Sequence, residues 1–94
     1  MNSRFKAGDI PQMSPTFRFQ WEEAQGCHVL LYPEGMVKLN PAAGEILKRC
    51  DGQADVTAII DNLKAAFPDA DLEADVYQFL DTAYDNQWIR HKSA

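Results

Sequence analysis

The sequence predicts an α+β domain in which a three-stranded antiparallel β-meander is followed by three α-helices in a winged-helix-like arrangement. Between residues 16 and 39, apolar residues largely follow the patterns of strands, and turn signals divide this stretch into three. From residue 40 onward the apolar residues instead recur every three or four positions, as they do in amphipathic helices. With 94 residues, the chain has room for one domain around a single core.

Each predicted strand has its own pattern. In residues 17–21 aromatic and polar residues alternate, which is typical of a strand with one buried face. Residues 27–32 are nearly all apolar and rich in β-formers, so we expect them in the middle of the sheet. Pro33-Glu34-Gly35 predicts a tight turn, after which residues 36–39 return as the third strand.

Each predicted helix begins with a side chain that accepts hydrogen bonds from the free amides of the first turn. Asn40 caps the first helix, with Pro41 at its first position, and Asp55 caps the second. Asp69 or Asp71 caps the third. The predicted stops are Asp51-Gly52 for the first helix and Pro68 for the second.

The two ends of the chain carry weak patterns. Residues 1–15 contain one glycine and two prolines with little periodicity, and we expect a flexible N-terminal arm. Residues 16–90 form the predicted domain, in which Trp88-Ile89-Arg90 closes as a short extended piece. Residues 91–94 are expected to fray.

Charge and hydropathy exclude two classes of partner. The net charge is −5, and no lysine or arginine occurs between Lys64 and Arg90, where the third helix is predicted. DNA or RNA phosphates would be repelled by that helix, so we expect no nucleic acid partner. The longest uncharged stretch, residues 24–33, is too short to cross a bilayer, so we expect no membrane partner and a cytoplasmic location.

No residue pattern predicts catalysis, a metal site or a cofactor. The softer candidate ligands are Cys27, His28, Cys50 and His91, and none of their spacings is that of a zinc knuckle. The sequence also contains no glycine-rich phosphate loop and no nucleophile elbow. We therefore expect a protein that is not an enzyme.

The third predicted strand lies at an edge of the meander. An edge strand exposes a row of backbone donors and acceptors that an extended peptide can satisfy. The third helix has more apolar positions than one core-facing stripe requires, with Tyr77 and Tyr84 seven residues apart on one face. If this helix packs beside the edge strand, the two form a peptide-binding groove.

Several short motifs resemble one family in their order and spacing. They are Leu30-Leu31-Tyr32-Pro33-Glu34-Gly35-Met36-Val37-Lys38-Leu39-Asn40, Ile46-Leu47, Cys50-Asp51-Gly52, Asp75-Val76, Phe79-Leu80 and Trp88-Ile89. Over about residues 11–90 the chain resembles the PqqD family, small peptide-binding proteins of pyrroloquinoline quinone (PQQ) biosynthesis. It departs from the family pattern at Asn86-Gln87, where a glycine is expected.

The resemblance implies a peptide chaperone, a recognition element for a ribosomally made and modified peptide. Such a protein holds the leader of the PQQ precursor peptide and presents it to a radical S-adenosylmethionine (SPASM) enzyme, which cross-links a glutamate and a tyrosine. The implied binding strand is Met36, Val37, Lys38 and Leu39. The implied facing wall, on the third helix, is Val76, Tyr77, Leu80 and Tyr84.

Two other interpretations stay open on the sequence alone. One is a winged-helix regulatory domain that binds DNA or protein, and the other is a cofactorless enzyme. A free strand edge also permits a homodimer. For the edge itself we predict that Val37→Pro abolishes precursor binding while the fold survives, because proline removes a backbone donor.

Overall fold

The computed structural model describes residues 3–92, and within them the chain forms five strands and three helices. The strands are β1 (Pro11–Met13), β2 (Arg18–Glu22), β3 (Cys27–Tyr32), β4 (Gly35–Lys38) and β5 (Ile89–His91). The helices are α1 (Pro41–Lys48), α2 (Val56–Ala66) and α3 (Glu73–Asp85). The predicted α+β class, with a meander followed by three helices, is confirmed.

The larger sheet has the strand order β2-β3-β4, with both pairs antiparallel. Its central strand is the apolar run that the sequence placed there, and β4 begins one residue earlier than predicted because Gly35 already pairs with Tyr32. Helix α1 lies close against β3. A Cβ atom at Gly44 of α1 would lie 2.8 Å from Nδ1 of His28, so the absent side chain permits this approach.

The first two helices begin as predicted, and the third does not. The side-chain oxygen of Asn40 accepts from the amide of Ala43 at 2.7 Å, which caps α1. The carboxylate of Asp55 caps α2 in the same way. Helix α3 begins after Leu72 with no side-chain cap. The prediction of a cap at Asp69 or Asp71 was therefore wrong, since Leu72, which has no polar side chain, occupies the cap position.

One apolar cluster joins the helices to the inner face of the sheet. It takes Leu30 and Leu39 from the β3–β4 region, Leu47 and Cys50 from α1 and the chain after it, and further residues from the other two helices. The remaining helical members include Val56, Ile59, Ile60, Leu63, Val76, Leu80 and Ala83. Burial raises the pKa of the Cys50 thiol to about 12, so this thiol stays protonated as a small apolar core group.

The prediction of a flexible arm over residues 1–15 is wrong for residues 3–15, which the structure describes. Strand β1 pairs antiparallel with β5, with Pro11 opposite His91. Phe5 is 2% exposed and packs edge-on against Tyr84, with ring centroids 5.8 Å apart. The carbonyl of Asp9 accepts from the Val56 amide at 2.9 Å. These contacts hold the segment in place. They come from single residues and not from a regularly spaced stripe, so the sequence shows no periodic pattern there.

The predicted fraying from residue 91 also needs correction. His91 is the last residue of β5, and the Lys92 amide donates to the carbonyl of Ile10 at 2.9 Å. The Lys92 ammonium donates to the carbonyl of Gly52 at 2.7 Å. Residues 1, 2, 93 and 94 lie outside the described part of the chain, and so do the corresponding parts of both predictions.

Candidate functional site

Strand β4 presents an open edge. Within residues 3–92 it pairs only with β3. The Leu39 amide donates to the carbonyl of His28 at 3.0 Å, which fixes the hydrogen-bonding phase of the pair. Since bonded and non-bonded pairs alternate along an antiparallel ladder, Val37 directs its amide and carbonyl at Leu30. The amides and carbonyls of Met36 and Lys38 therefore point away from the sheet.

This phase corrects the prediction made for Val37→Pro. The Val37 amide belongs to the ladder between β3 and β4, so a proline there removes a bond inside the sheet and disturbs the fold. The substitutions that remove an outward donor are Met36→Pro and Lys38→Pro. A proline is tolerated at such a position, because the amide it lacks has no partner in the sheet.

The side chains of the predicted binding strand divide between two faces. Val37 lies on the same face as Leu30 and packs against the core cluster, and Leu39 is 6% exposed. Met36 is 40% exposed on the opposite face, and Lys38 is exposed beside it. The exposed part of this strand therefore consists of the outward backbone groups and the side chains of Met36 and Lys38, whereas Leu39 is part of the interior.

The wall predicted on α3 is largely closed to a visitor. Val76 and Leu80 are both 0% exposed in the core. Tyr84 is half-buried against Phe5 and against His91, whose ring centroid lies 5.3 Å away, so the N-terminal segment and β5 together cover it. Tyr77 is half-buried and also packs against the core cluster. The predicted stripe is thus the core-facing side of the helix.

A different face of α3 borders an open cavity of about 290 Å³ next to α1. Its residues on α3 lie at the spacing of one helical stripe, and those opposite belong to the cap and first turns of α1. The lining residues are Asp75, Gln78, Phe79 and Thr82 on α3, facing Asn40, Ala42, Ala43 and Ile46. Sequence reasoning missed this stripe because only one of its four α3 members is large and apolar, although their spacing was visible.

The described residues contain no cluster of three or more histidine, cysteine, aspartate or glutamate side chains that could hold a metal ion. Across the same part of the chain, every helix is too short or too polar to cross a bilayer.

Comparisons with known proteins identify the relatives of this chain. The profile of the family described as Coenzyme PQQ synthesis protein D (PqqD) matches residues 27–89. A protein of Azotobacter vinelandii named PqqA binding protein is 55% identical over 82 residues, covering 86% of this chain and 89% of its own length. A protein of the same name from Acinetobacter baylyi is 51% identical, covering 89% and 90%.

A solved structure agrees with the sequence comparisons. The NMR structure of the PqqD truncation of Methylobacterium extorquens PqqCD is described as a functional, stand-alone recognition element for ribosomally synthesized and post-translationally modified peptides. It superposes with a TM-score of 0.76 at 30% identity and covers 94% of this chain and 96% of its own. The profile match, the sequence identities and the shared fold agree: this chain belongs to the PqqD family.

Proposed function

We propose that this protein is a non-catalytic peptide chaperone of PQQ biosynthesis that binds the leader of the precursor peptide by strand addition to β4. The names of its relatives support a peptide partner, since they are called PqqA binding proteins. The observation that carries the proposal is the open edge of β4, where the backbone groups of Met36 and Lys38 have no partner within residues 3–92.

The number of free backbone groups sets the strength of this pairing. Met36 and Lys38 offer one donor and one acceptor each, and a net backbone hydrogen bond contributes about 1 kcal/mol. A peptide must also lose translational and conformational freedom when it binds, at a cost of several kcal/mol. Backbone pairing alone therefore gives weak binding, and side-chain contacts next to β4 must supply the remaining affinity and the selectivity.

The chaperone delivers its cargo to a second protein. In this proposal the leader, held on β4, is presented to the radical S-adenosylmethionine (SPASM) enzyme, and tethering raises the effective concentration of the precursor at that enzyme. We place the complex in the cytoplasm, which is consistent with Cys27 and Cys50 being free thiols.

Two other roles would give different results in a binding experiment. A second copy of the chain could pair along β4 and form a homodimer, which analytical ultracentrifugation detects as a concentration-dependent mass. A winged-helix regulatory domain would instead bind DNA or a protein other than the precursor, and Glu73 and Asp75 in the first turn of α3 disfavour DNA.

Amide hydrogen exchange tests the proposal directly. We expect the Met36 and Lys38 amides to exchange fast in the free protein and at least tenfold more slowly with saturating leader peptide. The matched control is the other edge of the sheet, where Phe19 and Trp21 direct their amides outward by the same alternation. If the leader binds and protects the β2 amides while those of β4 stay fast, the site is on the wrong edge. If it does not bind, the proposed function is wrong.

A further inference from the structure

An apolar cavity of about 390 Å³ lies at the end of the helical layer where α1 begins. Its walls come from the first turns of α1, the end of α2, the loop that follows and the start of α3. The main apolar residues are Ala42, Ile46, Leu63, Phe67, Ala70 and Leu72. Its volume falls within the usual range of ligand pockets, about 300–1,000 Å³.

The cavity leaves a large aromatic side chain partly in water. Phe67 lines it and is 42% exposed, although it directly follows α2 and adjoins the buried residue Leu63. Exposed apolar surface costs free energy in proportion to its area. An apolar group that enters the cavity therefore removes part of the Phe67 ring from water and gains that free energy.

The cavity lies close to the open edge of β4. Pro41, on its rim, follows Lys38 by three residues, so the two Cα atoms are at most about 11 Å apart. A guest strand paired with β4 needs no more than about three or four further residues to cover that distance. The cavity is thus within reach of the segment next to the paired residues.

The rim of the cavity carries negative charge. Glu45 lies on it, and a hydrogen bond from Arg49 at 2.9 Å lowers the pKa of that carboxyl, so its charge is present but already compensated. Asp75, on the same rim, has no ion-pair partner within residues 3–92. A cationic side chain placed beside an apolar one therefore complements this rim.

We propose that this cavity is a second binding site for the guest peptide: it takes one large apolar side chain located one to four residues outside the segment paired with β4, and Asp75 faces a lysine or arginine next to that side chain. This inference rests on the proposed function and deepens it. The chaperone would then select a leader that carries an apolar residue next to a basic one. Backbone pairing alone gives no such selection, because any extended peptide offers it.

Filling the cavity tests the apolar part. Ala70→Trp places a bulky side chain at the cavity wall, and Ala65→Trp is the matched control, since Ala65 is exposed on α2 and does not line the cavity. By calorimetry with the synthetic precursor leader, we expect Ala70→Trp to raise the dissociation constant at least tenfold and Ala65→Trp to leave it unchanged. Ala42→Phe fills the cavity from the opposite wall and replaces Ala70→Trp if that variant does not fold, as judged by thermal unfolding.

The charge on the rim has its own test. Asp75→Asn should weaken leader binding several-fold at low salt and reduce its salt dependence, whereas Asp61→Asn, on the exposed surface of α2, should do neither.

The peptide side completes the design. In an alanine scan of the leader, the substitution that removes the inserted apolar side chain should weaken binding to the wild-type protein and have no further effect on Ala70→Trp. If Ala70→Trp binds the leader with wild-type affinity and the leader still protects the β4 amides, the proposed cavity site is wrong and the proposed function stands. Failure of the leader to bind the wild-type protein would instead overturn the proposed function.

Discussion

Strands β1 and β4 use their backbone edges in opposite ways. Strand β5 pairs along one side of β1, and on the other side the Gly52 amide donates to the Pro11 carbonyl at 3.2 Å and Gln12 forms a β-bridge with Asp51. In the β2-β3-β4 sheet the outer side of β4 has no partner within residues 3–92. Both regions consist of short strands, so strand propensity does not decide which edge is available. What decides is which other segment the fold places alongside.

Removing the anchor of the ribbon should have the largest effect on stability. Phe5→Ala deletes a ring that is 2% exposed, and such deletions cost about 3–5 kcal/mol in the free energy of unfolding. Phe5→Leu, which keeps most of the apolar volume, should cost about 1 kcal/mol. Urea unfolding measures both values. The leader affinity of folded Phe5→Ala should equal that of the wild type, and a large loss would mean that the ribbon and the β4 edge are coupled.

Matched proline substitutions on the two edges of the larger sheet test which edge binds the leader. Lys38→Pro removes one outward amide on β4 and should raise the dissociation constant of the leader at least tenfold, about 1.4 kcal/mol. Trp21→Pro removes the equivalent outward amide on β2 and should leave leader binding unchanged. Calorimetry of the two variants side by side decides the matter, and equal losses would contradict the assignment of the guest to β4.

The smallest effect is expected where the chain turns from α3 into the ribbon. Gln87 has a φ of 65°, a left-handed conformation that glycine adopts without steric cost. Gln87→Gly should therefore raise the free energy of unfolding by about 0.5–1 kcal/mol, while Gln87→Ala changes it little. Thermal unfolding measures both variants, and a destabilised Gln87→Gly would show that the glutamine side chain makes a compensating contact.

The sequence predicted the elements whose signals are local. The turn before Gly35 and the caps at Asn40 and Asp55 depend on neighbouring residues, and the structure confirms all three. The predicted start of α3 was wrong because Asp69 and Asp71 both have the side chain of a cap, and the sequence does not show that the helix begins after Leu72 without one. The ordered N-terminal segment was missed because Phe5 docks against residues almost eighty positions away, and no local pattern records such a contact.

The candidate site was also predicted in one part and missed in another. That β4 lies at an edge followed from the order of strands in a meander, and this prediction was correct. Which face of α3 is open depends on the rotation of that helix about its axis, and the core selected the apolar stripe with Val76 and Leu80. The stripe left outside, with Asp75 and Phe79, became identifiable only when α1 was placed against it.

The docked N-terminal segment also brings the two ends of the described chain together. Nε2 of His91 lies 2.8 Å from the carbonyl oxygen of Arg4, so residues near both ends meet on one side of the domain. A second domain fused at either side, or a short linker that joins the two sides in a circular permutant, therefore attaches at one common point of the surface. His91 belongs to β5, which is on a different sheet from β4, so such a fusion would not extend either end of the strand proposed to bind the peptide.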